Sequence, residues 1–484
     1  MKHTKLSEHK FKKGKFITPW NDAFGDLFRE NSWFQNRLPE YLWIALIIKE
    51  YGREKGLDRC LYLVHELSKI NSDLVVPSFS QITKMSDKEQ ESFFQCMSRV
   101  IDKSTLAPLT AIFTQSEYPI YVDSFFVEGL SIEDRFTSLM SVMKEGSDHQ
   151  SYFSTDIRYI VLCYQIFSGK LVMPKETIDE MELYPNLPHE DERMRCIRSS
   201  IRASEIGISL DILGVDNSEY LKNFWEVVSR MSECELLCVQ YALEEEPKND
   251  YMQKLKAIMI YFRDLLATNP LDQKLTVILG IVTYSYKRVL ELVEHNLYNT
   301  ISGRSIVRIL IEDYLMLKFL IKEENNHTDI WTEYQYYGIG QYKIILGRHR
   351  EAKGVSDDCH FDKDYIELLV NEFKDENFLN MDTRYFGNQA PRYKAEYVGE
   401  KDLYGLYYDY DSAYEHGLWG AIRESSMLKC ESPMHQYHCV PDVENSQRLK
   451  SVWNDCRMIM NKTLDLMDSI YGIPQHLKIG DIDA

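Results

Sequence analysis

Residues 302–312 have the sequence SGRSIVRILIE, and this stretch decides the predicted fold. Its ionisable residues, Arg304, Arg308 and Glu312, recur at every fourth position, while apolar residues fill most positions between them. Residues four apart lie on one face of an α-helix, because each residue turns the chain by about 100°. We therefore predict a helix over residues 302–323 that is buried on its apolar sides and carries one polar stripe.

The composition of the whole chain favours helices over a strand-and-turn architecture. Only 22 glycines and 14 prolines occur among 484 residues, whereas good helix formers are plentiful. The acidic, proline-containing run EEEPKND at residues 244–250 interrupts the helical pattern. We predict an all-α protein of two helical bundles: an N-terminal domain of residues 1–245 and a C-terminal bundle of residues 246–484.

The formal charge of −19 restricts the classes of partner. A surface that follows the phosphates of extended duplex DNA needs an excess of lysine and arginine, and an acidic protein is repelled by anionic membranes. The predicted partners that remain are RNA in a local basic pocket, a protein bound by the N-terminal domain, and further copies of the chain.

The cysteine pattern and the hydropathy predict a cytoplasmic location. Ten cysteines are scattered without a CxxC pair, which is typical of reduced thiols. No run reaches the 18 or so apolar residues of a membrane span, and the N-terminus has no apolar signal region.

A second informative stretch is YDSAYEHG at residues 410–417, inside a helix that we predict over residues 401–428. Ser412 and His416 are four apart, and Arg423 falls on nearly the same face of such a helix. Histidine changes charge near neutral pH and can act as a general acid or base. The pattern leaves two interpretations open, a core histidine bonded across the bundle and a site.

The arginine stripe also has two interpretations. Buried charges normally occur in pairs, so Arg304, Arg308 and Glu312 would form a structural ion-pair row. Alternatively, the guanidinium groups would hold a phosphate or another anion, whose geometry they match.

The two stretches together carry a resemblance to a known family. An R-x-x-x-R-x-x-x-E helix followed about a hundred residues later by Y-x-S-x-x-x-H resembles a bacterial family of helical domains of unknown function. The resemblance covers residues 255–470, with Arg304, Glu312, Ser412 and His416 at the matching positions. It implies an all-helical fold and a setting near phage-defence and mobile-element genes.

A second resemblance concerns mechanism. Helical ribonuclease toxins of the higher-eukaryote-and-prokaryote nucleotide-binding type carry R-x(4–6)-H on one helix and cleave RNA without a metal. Here no arginine precedes His416 by five to seven residues; Asp409, Tyr410 and Asp411 occupy those positions. Arg304 or Arg308 would have to supply the guanidinium from another helix, or Arg423 from downstream.

We predict no cofactor, because the chain contains no G-x-x-x-x-G-K-[ST] and no G-x-G-x-x-G loop. A metal site is likewise not predicted, although one group leaves the question open. Cys430, His435, His438 and Cys439 provide ligand types that zinc accepts, but their spacing matches no standard finger.

The leading hypothesis is an anti-phage defence effector that acts as an endoribonuclease. In it His416 is the general acid or base, Ser412 orients His416, and Arg304 and Arg308 hold phosphate. Glu312 orients one of the arginines. The competing hypothesis is a non-enzymatic interaction or regulatory subunit of a defence complex, in which these five residues form a structural network. A third hypothesis is a regulator that binds a nucleotide or other anion between Arg304 and Arg308.

Overall fold

A computed structural model describes residues 4–24, 32–207, 216–241, 248–352, 360–446 and 448–479. Helices dominate this part of the chain and the strands are short, so the predicted all-α class is confirmed. None of the described helices combines the length and the apolar content that crossing a bilayer requires.

The chain forms two compact units. The first comprises Met1–Leu236 together with Cys430–His438, and the second comprises Leu237–Lys429 together with Cys439–Ala484. The predicted boundary after residue 245 lies outside the described residues. The return of a nine-residue segment to the first unit is a feature that no sequence pattern indicated.

The first unit contains a short antiparallel strand pair and a set of helices. The strands are β1 (Lys10–Lys12) and β2 (Lys15–Ile17), with Phe11 opposite Phe16. The helices are α1 (Pro19–Phe24), α2 (Leu42–Tyr51), α3 (Arg53–Ile70), α4 (Phe79–Ile82), α5 (Asp87–Val100), α6 (Lys103–Leu106), α7 (Pro119–Phe125), α8 (Ile132–Gly146), α9 (Tyr152–Phe167), α10 (Lys175–Leu183), α11 (Met194–Gly207) and α12 (Ser218–Met231).

Helix α2 is the centre of the first unit's core. Seven consecutive side chains, Leu42 to Ile48, are buried, because α3, α8 and α9 pack around this helix. Met434, from the returning segment, is 2% exposed and belongs to the same core. The segment is therefore an integral part of the first unit.

The second unit is built from the remaining helices and strands. The helices are α13 (Lys248–Thr268), α14 (Gln273–Glu294), α15 (Ile301–Glu323), α16 (Ile330–Glu351), α17 (Lys363–Phe373), α18 (Pro391–Tyr397), α19 (Asp409–Glu415), α20 (Trp419–Ser426) and α21 (Trp453–Tyr471). The strands are β3 (Leu236–Leu237), β4 (Met427–Cys430) and β5 (Cys439–Pro441), of which Leu236 and Cys430 are counted with the first unit. Strand β4 pairs antiparallel with β5, with Leu428 opposite Val440.

Helix α15 organises the second unit and matches the helix predicted over residues 302–323. The side chain of Thr300 caps its first turn by accepting a hydrogen bond from the backbone N–H of Gly303 at 3.0 Å. Helices α14, α18, α19 and α21 pack against α15, and most of its apolar residues are buried. A polar side chain on the covered faces of α15 therefore needs a partner from another segment of the chain.

The single helix predicted over residues 401–428 is wrong. A π-helical segment, Leu403–Tyr408, leads into α19, which ends at Glu415; α20 follows, and β4 then begins at Met427. The physical reason is Gly417, whose φ of 56° is left-handed and ends the helical run. His416 and Arg423 therefore lie on opposite sides of a helix break.

Gly303→Ala should destabilise the second unit, because α15 has no room for a methyl group there. A Cβ at this position would overlap the carbonyl oxygen of Leu297 and lie 3.2 Å from the side chain of Val452. We expect the free energy of unfolding to fall by about 1–3 kcal/mol, measured by urea unfolding. The control is Gly338→Ala in α16, where no atom lies within 4 Å and a gain of about 0.5–1 kcal/mol is expected. Equal changes in the two variants would contradict this account of α15 packing.

Candidate functional site

Arg308 and Glu312 form the centre of a hydrogen-bonded triad with Tyr408. One guanidinium nitrogen of Arg308 lies 3.2 Å from a Glu312 carboxylate oxygen and donates to the Tyr408 hydroxyl at 2.9 Å. That hydroxyl donates in turn to Glu312 at 2.7 Å, and the guanidinium carbon lies 5.0 Å from the centre of the Tyr408 ring. The structure thus brings together two of the predicted site residues and adds a tyrosine.

The triad keeps Arg308 firmly charged. Burial by itself lowers the pKa of Arg308, but the hydrogen bond with Tyr408 and the negative charges of Glu312 and Glu415 raise it further than burial lowers it. Glu415 is the neighbour of His416 in the chain, so the end of α19 lies within electrostatic range of Arg308.

Arg304 has a different set of partners. It is 6% exposed, and its Nη2 donates to the backbone carbonyl of Lys450 at 2.9 Å. Its guanidinium carbon lies 5.6 Å from the ring centre of Tyr410 and 5.7 Å from that of Tyr414. Arg304 therefore makes no hydrogen bond with the Arg308–Glu312–Tyr408 triad among the described residues.

Ser412 and His416 do not form the predicted side-chain pair. The backbone N–H of His416 donates to the Ser412 carbonyl at 3.1 Å, and His416 is the C-cap residue that follows the end of α19 at Glu415. The imidazole is exposed and makes no hydrogen bond or ion pair with the described residues. The Ser412 hydroxyl is buried and has no hydrogen-bond partner in the described part of the chain.

A cavity of about 150 Å³ lies beside the triad and contains a buried lysine. We call it the Lys394 cavity; its lining includes Glu312, Tyr337, Phe386, Lys394 and Tyr408. Lys394 is 5% exposed, and burial lowers the pKa of its ammonium group to about 8. The ammonium nitrogen lies 4.9 Å from the ring centre of Phe319, and among the described residues no carboxylate lies within ion-pair distance of it.

Asp411 is a second buried ionisable group that the sequence patterns missed. It is 3% exposed, and one carboxylate oxygen has no hydrogen-bond partner among the described residues. Burial raises the pKa of Asp411 to about 7; the charge of Arg304 lowers it, and that of Asp455 raises it. The nearest indication in the sequence was its place beside Ser412 in the YDSAYEHG stretch.

The first unit contains a group of cysteine and histidine side chains that could bind a metal ion. Cys234, Cys430, His435 and His438 converge, and their ligand atoms all lie within 4.8 Å of one another. Three of these residues belong to the group considered from sequence, whereas Cys234 takes the place of Cys439. No sequence spacing could indicate Cys234, because about 200 residues separate it from the others.

Residues 279–435 match the model of a family described as a family of unknown function (DUF5677). The match covers less than half of the chain but includes Arg304, Arg308, Glu312, Ser412 and His416. The predicted resemblance to a family of unknown function is thus confirmed, and its link to phage-defence genes stays a prediction. No curated protein matches the chain. No solved structure matches it either.

Asp411→Asn should change how stability depends on pH. The pKa of Asp411 is about 7 in the folded protein against an ordinary value of 3.8, so the folded state binds more protons between these values. Stability contributed by Asp411 is therefore lost as pH rises from about 4 to about 7. We expect the variant to exceed wild type by about 1–2 kcal/mol above pH 7 and to match it near pH 4, measured by urea unfolding across pH.

The matched control for Asp411→Asn is Asp409→Asn, an exposed position in the first turn of α19. This change should shift stability by less than about 0.5 kcal/mol at every pH. Parallel pH curves for wild type and Asp411→Asn would show that the carboxyl group is not buried in the way described.

Proposed function

We propose that the second unit recognises a phosphate-bearing ligand, a nucleotide or an RNA end, at the Lys394 cavity, and that the protein serves in cytoplasmic bacterial anti-phage defence. The observation that carries the proposal is Lys394 itself: a buried ammonium group at a cavity, without a carboxylate partner among the described residues. Of the three hypotheses drawn from the sequence, the anion-binding regulator is the nearest to this proposal, but that hypothesis placed the anion between Arg304 and Arg308 and not at Lys394.

The energetic reason is that an unpaired charge is costly to bury. A buried ammonium group is normally neutralised by a carboxylate or shifts its pKa, and Lys394 shows the shift without the carboxylate. Glu312 also lines the cavity, but its carboxylate already interacts with Arg308 and Tyr408. An anion entering the cavity would supply the missing negative charge.

The size and lining of the cavity limit the ligand. An engineered protein cavity of about 150 Å³ holds a benzene molecule, so the Lys394 cavity admits one phosphate group or one ring at a time. Tyr337, Tyr385 and Phe386 place aromatic rings around it. Aromatic rings beside a cation are the usual elements of single-stranded nucleic acid recognition, which supports a nucleotide end as the ligand.

A second candidate function is metal-independent endoribonuclease activity. The supporting observation is that the exposed imidazole of His416 follows Glu415, whose charge acts on Arg308. In this function His416 is the general acid or base and Arg308 holds the phosphate, with Glu312 orienting Arg308. Arg304 and Ser412 would support α19 from within the core.

The first unit has a proposed role as the part that binds a protein partner. Self-association of the chain is part of the same proposal. In this proposal the second unit recognises the ligand and the first unit binds the protein partner. Such a division of roles suits a regulatory subunit or an effector of a defence complex.

Lys394→Met should abolish binding of the ligand while leaving the protein folded. Methionine keeps most of the side-chain volume and removes the charge, so we expect the midpoint of thermal unfolding to rise by about 2–4 °C. Isothermal titration with a nucleoside 5′-monophosphate, with inorganic phosphate and with 5′-phosphorylated RNA measures binding, and RNA with a 5′-hydroxyl tests the need for the phosphate.

The control for Lys394→Met is Lys254→Met, at an exposed position on α13, which should bind like wild type. Binding should weaken as pH rises through about 8, because the ammonium group then loses its proton. If wild type binds none of the phosphate-bearing ligands, or if Lys394→Met binds them equally well, the cavity is not the proposed site.

His416→Ala tests the ribonuclease function separately. If the function is present, the wild-type protein cleaves RNA in metal-free buffer, and removal of the acid or base should slow cleavage by about 100-fold or more. The control is His476→Ala, an exposed histidine distant in sequence from α19. Full activity of folded His416→Ala, or no cleavage by wild type, would exclude this ribonuclease function and leave ligand binding as the only proposed function of the second unit.

A further inference from the structure

Four metal-ligand side chains meet at one corner of the first unit. Cys234 follows the end of α12, Cys430 is the last residue of β4, and His435 and His438 belong to the returning segment. The Cys234 sulfur lies 3.3 Å from Nδ1 of His435 and 3.5 Å from Nε2 of His438. The Cys430 sulfur lies 3.6 Å from Nδ1 of His435.

These distances fit a tetrahedral zinc ion. Zinc binds thiolate sulfur at about 2.3 Å and imidazole nitrogen at about 2.0–2.1 Å, which places a sulfur and a nitrogen on the same ion about 3.5 Å apart. The three sulfur–nitrogen distances, 3.3, 3.5 and 3.6 Å, bracket this value. A hydrogen bond from a thiol to a ring nitrogen would explain any one of these distances. Hydrogen bonding does not, however, require two sulfurs and two ring nitrogens to gather around one point, as a metal ion does.

The hydrogen bonds of His435 prepare its ring for metal binding. Its Nε2–H donates to the backbone carbonyls of Ser229 and Ser232, each at 3.1 Å. Because carbonyls only accept, the proton of the neutral ring is on Nε2, and Nδ1 presents its lone pair toward both sulfurs. A ligating histidine commonly donates its other ring N–H to a carbonyl in this way.

The backbone of the returning segment brings the other ligands into place. Gln436 and Tyr437 have left-handed φ values of 52° and 55°, an uncommon conformation for residues other than glycine. Their turn lets the N–H of Cys430 donate to the His438 carbonyl at 2.9 Å. Backbone conformations of this kind persist where the surroundings hold them, and a bound ion would do so here.

We propose that Cys234, Cys430, His435 and His438 bind one zinc ion, as a structural Cys2His2 site that fastens the returning segment to the first unit. Four protein ligands complete the tetrahedron, so no position is left for a substrate, and the site is structural and not catalytic. The ion is independent of the ligand proposed for the Lys394 cavity in the second unit.

The site closes a long stretch of chain. Cys234 and His435 are 201 positions apart, so one ion would hold together two segments that are distant in the chain. Zinc binding by the folded state alone also stabilises that state by mass action. Chelation should therefore lower the midpoint of thermal unfolding of the wild-type protein.

The experiment measures zinc in the full-length chain, purified with a reductant that does not bind metals and dialysed against metal-free buffer. We expect about one zinc per chain by inductively coupled plasma mass spectrometry. Replacement with Co²⁺ should give the visible absorption of a tetrahedral ion together with a thiolate charge-transfer band. A cleft of about 560 Å³ lined by His435 and His438 gives a chelator access to the site.

Cys234→Ser and Cys439→Ser are the matched variants. Cys234 is exposed, so its replacement by serine leaves the core intact, whereas Cys439 adjoins His438 but is outside the four-residue group. Zinc content should fall below about 0.2 per chain in Cys234→Ser, and chelation should no longer lower its melting midpoint. Cys439→Ser should retain zinc, the Co²⁺ spectrum and the response to chelation.

Three results would overturn the proposal. The first is wild-type protein without bound zinc after refolding with Zn²⁺ and without a thiolate band after addition of Co²⁺. The second is loss of zinc from Cys439→Ser but not from Cys234→Ser. The third is a Cys234–Cys430 disulfide, found by mass spectrometry under non-reducing conditions in freshly isolated protein that contains no zinc.

Discussion

The burial of α15 is the constraint from which the arrangement of the second unit follows. This helix packs against α14, α18, α19 and α21, so each polar side chain that they cover must meet a partner from elsewhere in the chain. Asp313 accepts a hydrogen bond from Ser285 at 2.7 Å, and Lys318 donates to Glu400 at 2.7 Å. The Arg308–Glu312–Tyr408 triad is a further arrangement of this kind, and two of its residues, Glu312 and Tyr408, line the Lys394 cavity.

The spacing of residues along the sequence correctly predicted the features that depend only on helix geometry. The α15 helix and the proximity of Arg308 to Glu312 follow from positions four apart, and both are present. The break at Gly417 was not predicted, because a glycine inside a helical pattern ends the helix only where the chain adopts a left-handed conformation. His416 therefore lies at a helix end instead of on a continuous face.

Sequence patterns did not identify three residues on which the proposed sites and the pH prediction depend. Lys394 is buried because α18 packs on α15, and neither helix marks the lysine by spacing. Asp411 owes its raised pKa mainly to burial, which is a property of the packed unit. Cys234 joins His435 across 201 positions, whereas the sequence offered the adjacent Cys439 as the fourth ligand type. In each case tertiary packing, which periodicity does not encode, decides the chemistry.

The return of Cys430–His438 to the first unit also has a consequence for synthesis on the ribosome. When residues 1–236 of a nascent chain have left the ribosome, Met434 and His435 have not yet been translated. Met434 is 2% exposed in the finished core of the first unit. The first unit therefore cannot complete its fold until nearly two hundred further residues have been translated. Truncation after residue 236 would remove that piece permanently, so chaperone dependence and poor yield are the expected fate of such a fragment.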